Sequence, residues 1–132
     1  MTTGAPLLRG FVVLVVDDDP DSLAIAAMTI EAFGCSVLRA ASGDEALAIL
    51  DSGAHVDLML SDVVMPKGNG FVLVHGARER RPALPVVLAT GYGDIVDSAS
   101  ANGVIALIKP YTMERLEAIL AEQLHVARDP PG

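Results

Sequence analysis

The sequence is poor in cysteine, basic residues and long apolar runs, and each shortage excludes a class of protein. Cys35 is the only cysteine among 132 residues. The chain can therefore form neither an internal disulfide nor a cysteine-based metal site. No apolar stretch is long and charge-free enough to span a bilayer. The first residues lack the basic start and apolar core of a signal peptide, so we expect a cytoplasmic location.

The charge balance is acidic. Nine Lys and Arg residues against 17 Asp and Glu residues give a formal net charge of −8. This excess argues against nucleic acid or an anionic membrane as the main partner, because both carry negative charge themselves. Apolar residues make up 52% of the chain, which is enough for a compact core. A chain of this length suits one domain rather than two.

Apolar runs and helical periodicities alternate along the chain. Short apolar runs bounded by turn residues predict buried strands, and apolar residues at helical spacing predict amphipathic helices between them. The predicted strands cover residues 11–16, 36–41, 56–61, 86–89 and 104–108, and the predicted helices cover 20–33, 42–52, 71–81, 94–102 and a stretch from 112 onward. This alternation predicts an α/β sandwich with a parallel sheet in the flavodoxin-like strand order 2-1-3-4-5.

The domain boundaries follow from where this alternation begins and ends. We predict a leader over residues 1–10, one domain over 11–126 and a C-terminal tail over 127–132. Inside the domain, residues 63–70 are predicted to form a loop. Its Gly68-Asn69-Gly70 sequence favours a tight turn.

Polar side chains follow four of the predicted strands. Asp62 comes directly after the apolar run 56–61, and ligands of parallel sheets bind at the carboxyl ends of the strands. An Asp at a strand end more commonly caps a turn or a helix, and Asp62 alone would be interpreted in that way. The other strand-end residues are Asp17, Asp18 and Asp19 after the first strand, Thr90 after the fourth and Lys109 after the fifth.

The predicted strand order places these residues along one edge of the sheet. Carboxylates within a few ångströms repel one another unless a cation lies among them, and oxygen ligands suit Mg²⁺, which keeps some of its water. A Lys ammonium and a hydroxyl bind phosphoryl oxygens. Together they favour phosphoryl transfer to a carboxylate nucleophile, Asp62. Taken singly, Lys109 fits a solvated charge, and Thr90 and Asp19 fit helix caps.

In order, type and position these residues resemble the receiver domain of two-component response regulators, over about residues 11–126. The matching motifs are Val15-Val16-Asp17-Asp18-Asp19, Ser61-Asp62-Val63-Val64-Met65-Pro66, Ala89-Thr90-Gly91 and Lys109-Pro110. The resemblance implies that Asp62 is the phosphoacceptor and a metal ligand. It implies that Asp18 binds Mg²⁺ directly, that Asp17 binds it largely through water, and that the backbone carbonyl of Val64 is a further ligand.

The same resemblance implies that Thr90 and Lys109 contact the phosphoryl oxygens, and that a cis peptide bond precedes Pro110. One position departs from the family pattern. An aromatic residue usually lies three residues before the lysine, and here that position is Ala106. The inward movement of that ring is therefore absent, and we expect residues 91–102 to move on activation instead.

The implied function is that of a phosphoacceptor rather than an enzyme. It would take a phosphoryl group from a phosphohistidine on a sensor histidine kinase or a histidine phosphotransfer protein. The added charge would switch a surface that binds a downstream protein. We expect a monomer or weak dimer without nucleic-acid or membrane contacts, either stand-alone or cut from a larger regulator or hybrid kinase. No output domain follows in this sequence, so we expect output through a partner, through competition for phosphate or through a missing neighbouring domain.

Three other functions fit parts of the sequence. A small phosphatase with an aspartyl-phosphate intermediate needs an Asp-x-Asp pair after the first strand, and Asp17 and Asp19 have this spacing, but Pro20 follows and there is no cap domain. A phosphate-independent interaction module would not need the complete set of strand-end residues. A carrier of FMN needs a phosphate-binding loop where the three aspartates would repel its ligand.

Overall fold

The computed structural model describes residues 8–62, 64–65, 68–91 and 103–125. The strands are β1 (Val12–Val16), β2 (Ser36–Ala40), β3 (Leu58–Asp62), β4 (Val64–Met65), β5 (Gly68–Asn69), β6 (Val86–Thr90) and β7 (Ile105–Ile108), and the helices are α1 (Pro20–Ala32), α2 (Gly43–Asp51), α3 (Gly70–Arg80) and α4 (Met113–Gln123). The strands and helices predicted within these residues are present, with ends shifted by at most two residues. The predicted helix over 94–102 lies outside the described residues.

Five strands form one parallel sheet in the order β2-β1-β3-β6-β7. Numbered among themselves, these strands have the predicted order 2-1-3-4-5. The register pairs Val16 with Ser61 and Asp62 with Ala89, so the carboxyl ends of β1, β3 and β6 lie close together. Among the described helices, none has the length and apolar character that crossing a membrane requires.

The segment predicted as a loop contains two short strands. In it, β4 and β5 pair antiparallel, with Val64 opposite Asn69 and Met65 opposite Gly68. The pairing gives backbone groups hydrogen-bond partners that a loop would have to find in water. Two-residue strands have no side-chain periodicity, so the sequence gives no sign of them.

Side-chain caps fix where the helices begin. The Asp19 carboxylate accepts hydrogen bonds from the Ser22 N–H at 3.2 Å and the Ser22 hydroxyl at 2.7 Å, at the start of α1. The Ser42 hydroxyl accepts from the Glu45 N–H at 3.1 Å, and the Glu45 carboxylate accepts from the Ala41 N–H at 3.1 Å. The helix cap that the sequence suggests for Asp19 is thus confirmed, and Ser42 and Glu45 form a capping box at the start of α2. The first of these caps sets the course of the chain directly after β1.

Both faces of the sheet are covered by buried apolar side chains. Leu14, Met59 and Leu88 belong to the core on the side of α2 and α3. Their neighbours along the strands belong to the core on the side of α1 and α4, as Leu60 and Val87 show. Because side chains alternate along a strand, Asp62 at the end of β3 points to the α1 side, like Leu60.

Residues 8–10, which the sequence analysis assigns to a leader, pack against the domain. Leu8 is fully buried, and its N–H donates to the Phe33 carbonyl at 3.1 Å. The Gly10 N–H donates to the Gly34 carbonyl at 3.3 Å, and the Cys35 thiol contacts the Leu8 carbonyl at 3.6 Å. A single apolar residue has no periodicity, so the sequence does not predict this contact. Residues 1–7 lie outside the described part of the chain.

Arg81 joins the end of α3 to the end of α2. Its Nη2 donates to the carbonyl oxygens of Leu50 and Ala54, both at 2.8 Å. We expect Arg81→Met to lower the free energy of unfolding by about 2 kcal/mol, because two part-buried carbonyls lose a charged donor. Urea denaturation measures this loss. Arg80→Met is the matched control. It removes an exposed pair with Asp51, so a loss under about 1 kcal/mol is expected, and equal losses would contradict the assignment.

Candidate functional site

A cavity of about 570 Å³ opens where β1 and β3 end, on the α1 side of the sheet. Three of the sequence-predicted site residues line it, namely Asp17, Asp62 and Lys109. They come from the ends of three different strands, β1, β3 and β7. Ala89 of β6 lies between the ends of β3 and β7 and also lines the cavity. Its small side chain leaves room for the Lys109 stem to reach Asp62.

An ion pair joins two of these residues. The Lys109 Nζ donates to the Asp62 Oδ2 at 2.9 Å, with the Lys side chain 38% exposed and the Asp side chain 16% exposed. Burial acts to lower the pKa of Lys109. The hydrogen bond and charge of Asp62, together with the charge of Asp17, outweigh burial and raise that pKa above its usual value. The site therefore holds a permanent cation beside two carboxylates.

The three consecutive aspartates after β1 have three different environments. Asp17 is buried, and its Oδ1 accepts from the Asp19 N–H at 3.0 Å. Burial raises the pKa of Asp17, the Asp19 N–H lowers it, and the charge of Asp62 raises it further. Asp18 is exposed. Asp19 caps α1, and the hydrogen bonds from Ser22 hold its pKa below the usual value.

Two further residues that were predicted to belong to the site are close in sequence to residues that line the cavity. Thr90 ends β6 and is buried, and its carbonyl accepts from the Lys109 N–H at 2.7 Å. Alternation along β6 places the Thr90 side chain on the α2 and α3 side of the sheet, opposite to Ala89. Val64 lies in β4, two residues after Asp62. The Lys109–Pro110 peptide bond is cis, as the resemblance implies.

The carboxylates at the cavity fit Mg²⁺ rather than an all-protein metal site. Within the described ranges, no three His, Cys, Asp or Glu side chains form a group that could hold a metal. Asp17 and Asp62 line the cavity, and exposed Asp18 adjoins them. One or two carboxylates, with water and phosphate oxygens completing the octahedron, are the usual ligands of Mg²⁺ in proteins. The donor set therefore suits a magnesium ion that is shared with a phosphoryl group.

Some lining residues were not singled out by the sequence analysis. Ser22 and Ile25 lie one helical turn apart on α1, and Tyr111 follows Lys109 by two residues. Ser22 and Ile25 follow the aspartates at helical spacing, and this spacing could have indicated that both residues face the cavity. Tyr111 lies in the turn before α4, and no periodicity predicts where a turn residue points.

Known proteins are similar to this chain in sequence and in fold. A family model described as the response regulator receiver domain matches residues 13–121. The transcriptional regulatory protein GlrR of Escherichia coli strain K12 is 34% identical over 114 residues, which are 84% of this chain and 26% of GlrR. A crystal structure of a response regulator receiver domain protein from Clostridium thermocellum has a TM-score of 0.82 at 28% identity, covering 87% of this chain and 94% of that one.

The receiver domain of the hybrid histidine kinase CckA, also a crystal structure, has a TM-score of 0.72 at 36% identity, covering 86% of this chain and 98% of that one. The chain belongs to the response regulator receiver domain family. These domains are the regulatory phosphoacceptors of two-component phosphorelay signalling. The chain spans only 26% to 29% of the length of the first curated relatives that it matches.

Proposed function

We propose that the chain accepts a phosphoryl group on Asp62 from a phosphohistidine, in a reaction that depends on Mg²⁺. The donor would be a sensor histidine kinase or a histidine phosphotransfer protein. The observation that carries this proposal is the 2.9 Å ion pair of Lys109 and Asp62 beside Asp17 in one cavity. It puts a carboxylate, a cation and a second carboxylate where a phosphoryl group can enter.

In the proposed step, a carboxylate oxygen of Asp62 attacks phosphorus while the bond from phosphorus to the imidazole nitrogen breaks. The bonding electrons leave with the imidazole. Lys109 holds Oδ2 of the nucleophile before transfer, and its ammonium contacts a phosphoryl oxygen afterwards. The Thr90 hydroxyl is the second proposed contact, and it would have to turn from the α2 and α3 side toward the end of β3 to reach the phosphoryl group. No water is required as a reactant, because the chain itself is the acceptor.

The proposed magnesium ligands are the carboxylates of Asp17, Asp18 and Asp62 and the backbone carbonyl of Val64. Bound Mg²⁺ would neutralise charge on the phosphoryl oxygens. The nearness of Asp17 and Asp62 supports this assignment, since each acts on the charge state of the site.

The proposed output is a surface that a downstream protein recognises after phosphorylation. The phosphoryl group adds charge and acceptor oxygens beside Lys109 and Thr90, and their movement would change that surface. We further propose a domain over residues 11–126 against which residues 8–10 pack, a monomer or weak dimer, and a cytoplasmic location. GlrR is a transcriptional regulatory protein by name, and the proposal that nucleic acid is not a partner concerns only the residues of this chain.

The phosphatase alternative is not supported by the aspartates. It requires Asp17 and Asp19 to act together, and the Asp19 carboxylate instead caps α1 through two hydrogen bonds from Ser22. Asp19 is also absent from the residues described as lining the cavity. A phosphate-independent interaction module would not require the ion pair of Lys109 and Asp62.

Melting experiments test the magnesium site. We expect Mg²⁺ at 100 times its dissociation constant to stabilise the wild-type chain by about 2.7 kcal/mol, because the cation relieves repulsion between carboxylates. Asp18→Asn should lose most of this gain. Asp21→Asn is the matched control, since Asp21 is an exposed acidic residue of the first turn of α1, and it should keep the gain. If Asp18→Asn and wild type gain equally, the ligand assignment is wrong.

A further inference from the structure

Tyr111 is an unassigned polar residue of the cavity that contains Asp17, Asp62 and Lys109. It lies between Pro110 and Thr112, the N-cap of α4. Its ring packs, partly buried, against the core on the side of α1 and α4. Tyr111 therefore both packs against this core and lines the cavity.

The hydroxyl of Tyr111 retains its proton and has capacity to donate it. Burial raises the pKa of Tyr111, the charge of Lys109 lowers it, and the charges of Asp17 and Asp62 raise it. The net effect keeps the phenol neutral at physiological pH. No hydrogen bond to this hydroxyl is found among the described residues. All three charged groups of the site act on the phenol, so it lies within their electrostatic reach.

A phosphoryl group on Asp62 presents three strongly accepting oxygens, each of which can accept more than one hydrogen bond. Magnesium, Lys109 and Thr90 are the partners already proposed. Among the described residues, three hydroxyls line the cavity, those of Ser22, Ser61 and Tyr111. The Ser61 hydroxyl donates to the Asp62 carbonyl at 3.1 Å. Ser22 already donates to Asp19 at 2.7 Å.

We propose that Tyr111 is a phosphoryl-binding residue, whose hydroxyl donates a hydrogen bond to an oxygen of the phosphoryl group on Asp62. This inference rests on the proposed function and adds a neutral donor to the charged ones. A neutral phenol leaves the charge balance of the cavity unchanged in the unphosphorylated chain. It contributes only when an anion enters, so its effect is confined to the phosphorylated state.

The test uses beryllofluoride with Mg²⁺ as a mimic of the phosphoryl group, titrated into the full chain and followed by amide chemical shifts. We expect Tyr111→Phe to bind the mimic about fivefold more weakly, as expected for one neutral hydrogen bond. Its affinity for Mg²⁺ alone should equal that of wild type. Ser22→Ala is the matched control, because it removes a cavity hydroxyl that already donates to Asp19, and it should bind the mimic as wild type does.

Three results would overturn the inference. The first is wild-type affinity of Tyr111→Phe for the mimic. The second is an equal loss of affinity for Mg²⁺ alone, since that indicates a distorted site instead of a missing donor. The third is a loss in Ser22→Ala as large as in Tyr111→Phe. Failure of the proposed function is separate, because then wild type would not bind the mimic, or Asp62→Asn would bind it equally well.

Discussion

Asp62→Asn is expected to lower phosphorylation by acetyl phosphate and Mg²⁺ by about 1000-fold or more. The amide keeps the shape of the carboxylate but has no anionic oxygen to attack phosphorus. The side chain is only 16% exposed and lies beside Lys109, so the substitution should leave the surrounding packing in place. Gels that retard phosphoproteins measure the product, and its loss on treatment with hydroxylamine identifies an acyl phosphate.

The matched control is Asp57→Asn. It makes the same change from Asp to Asn at the residue that directly precedes β3. The Asp57 Oδ2 accepts from the Val12 N–H at 2.8 Å, and its Oδ1 pairs with His55 at 2.9 Å. This variant should lose stability and keep phosphorylation. If instead Asp62→Asn is labelled at the wild-type rate, the acceptor is another residue and the site must be reassigned.

Lys109→Ala is expected to weaken binding of beryllofluoride in the presence of Mg²⁺ by about 10- to 100-fold. A charged hydrogen bond contributes more than a neutral one, and no other described residue that lines the cavity carries a positive charge. Lys109→Arg keeps the charge but changes the shape and donor geometry. We expect it to be phosphorylated, with a reduced response of the downstream partner. Amide chemical shifts on titration measure the affinity of both variants.

Arg115→Ala is the control for loss of positive charge. Arg115 is exposed in the first turn of α4 and does not line the cavity as described. Its affinity for beryllofluoride should therefore match that of wild type. Equal weakening in Arg115→Ala and Lys109→Ala would show that only net charge matters. Partner binding equal to that of wild type in both Lys109 variants would show that Lys109 has no role in signalling.

The architecture could be predicted because apolar side chains recur along the chain with the spacing of strands and helices. Five apolar runs separated by helical patterns leave few arrangements other than a parallel sheet with right-handed crossovers, and five strands fit the flavodoxin-like strand order. The polar residues that end those runs must then share one edge. Asp17, Asp62 and Lys109 do meet in one cavity, although each is unremarkable by itself in the sequence.

The features that the sequence could not predict depend on the path of the backbone and on single contacts. The pairing of β4 with β5 uses backbone groups only, and the burial of Leu8 is one isolated contact. The run of aspartates looks uniform in sequence, and only the turn into α1 makes Asp17 buried and Asp18 exposed. Ala106 packs partly buried against the core on the α2 and α3 side. The movement expected of residues 91–102 falls almost wholly outside the described residues.

The ion pair of Lys109 and Asp62 spans 47 residues of chain. A ribosome-bound chain that has emerged only as far as β6 already contains the nucleophile and all three aspartates, but not the cation that faces them. Carboxylates on such an intermediate repel one another until β7 joins the sheet edge. The ion pair can therefore form only after β7 and the lysine that follows it have been made, although the carboxylates that it serves come much earlier in the chain.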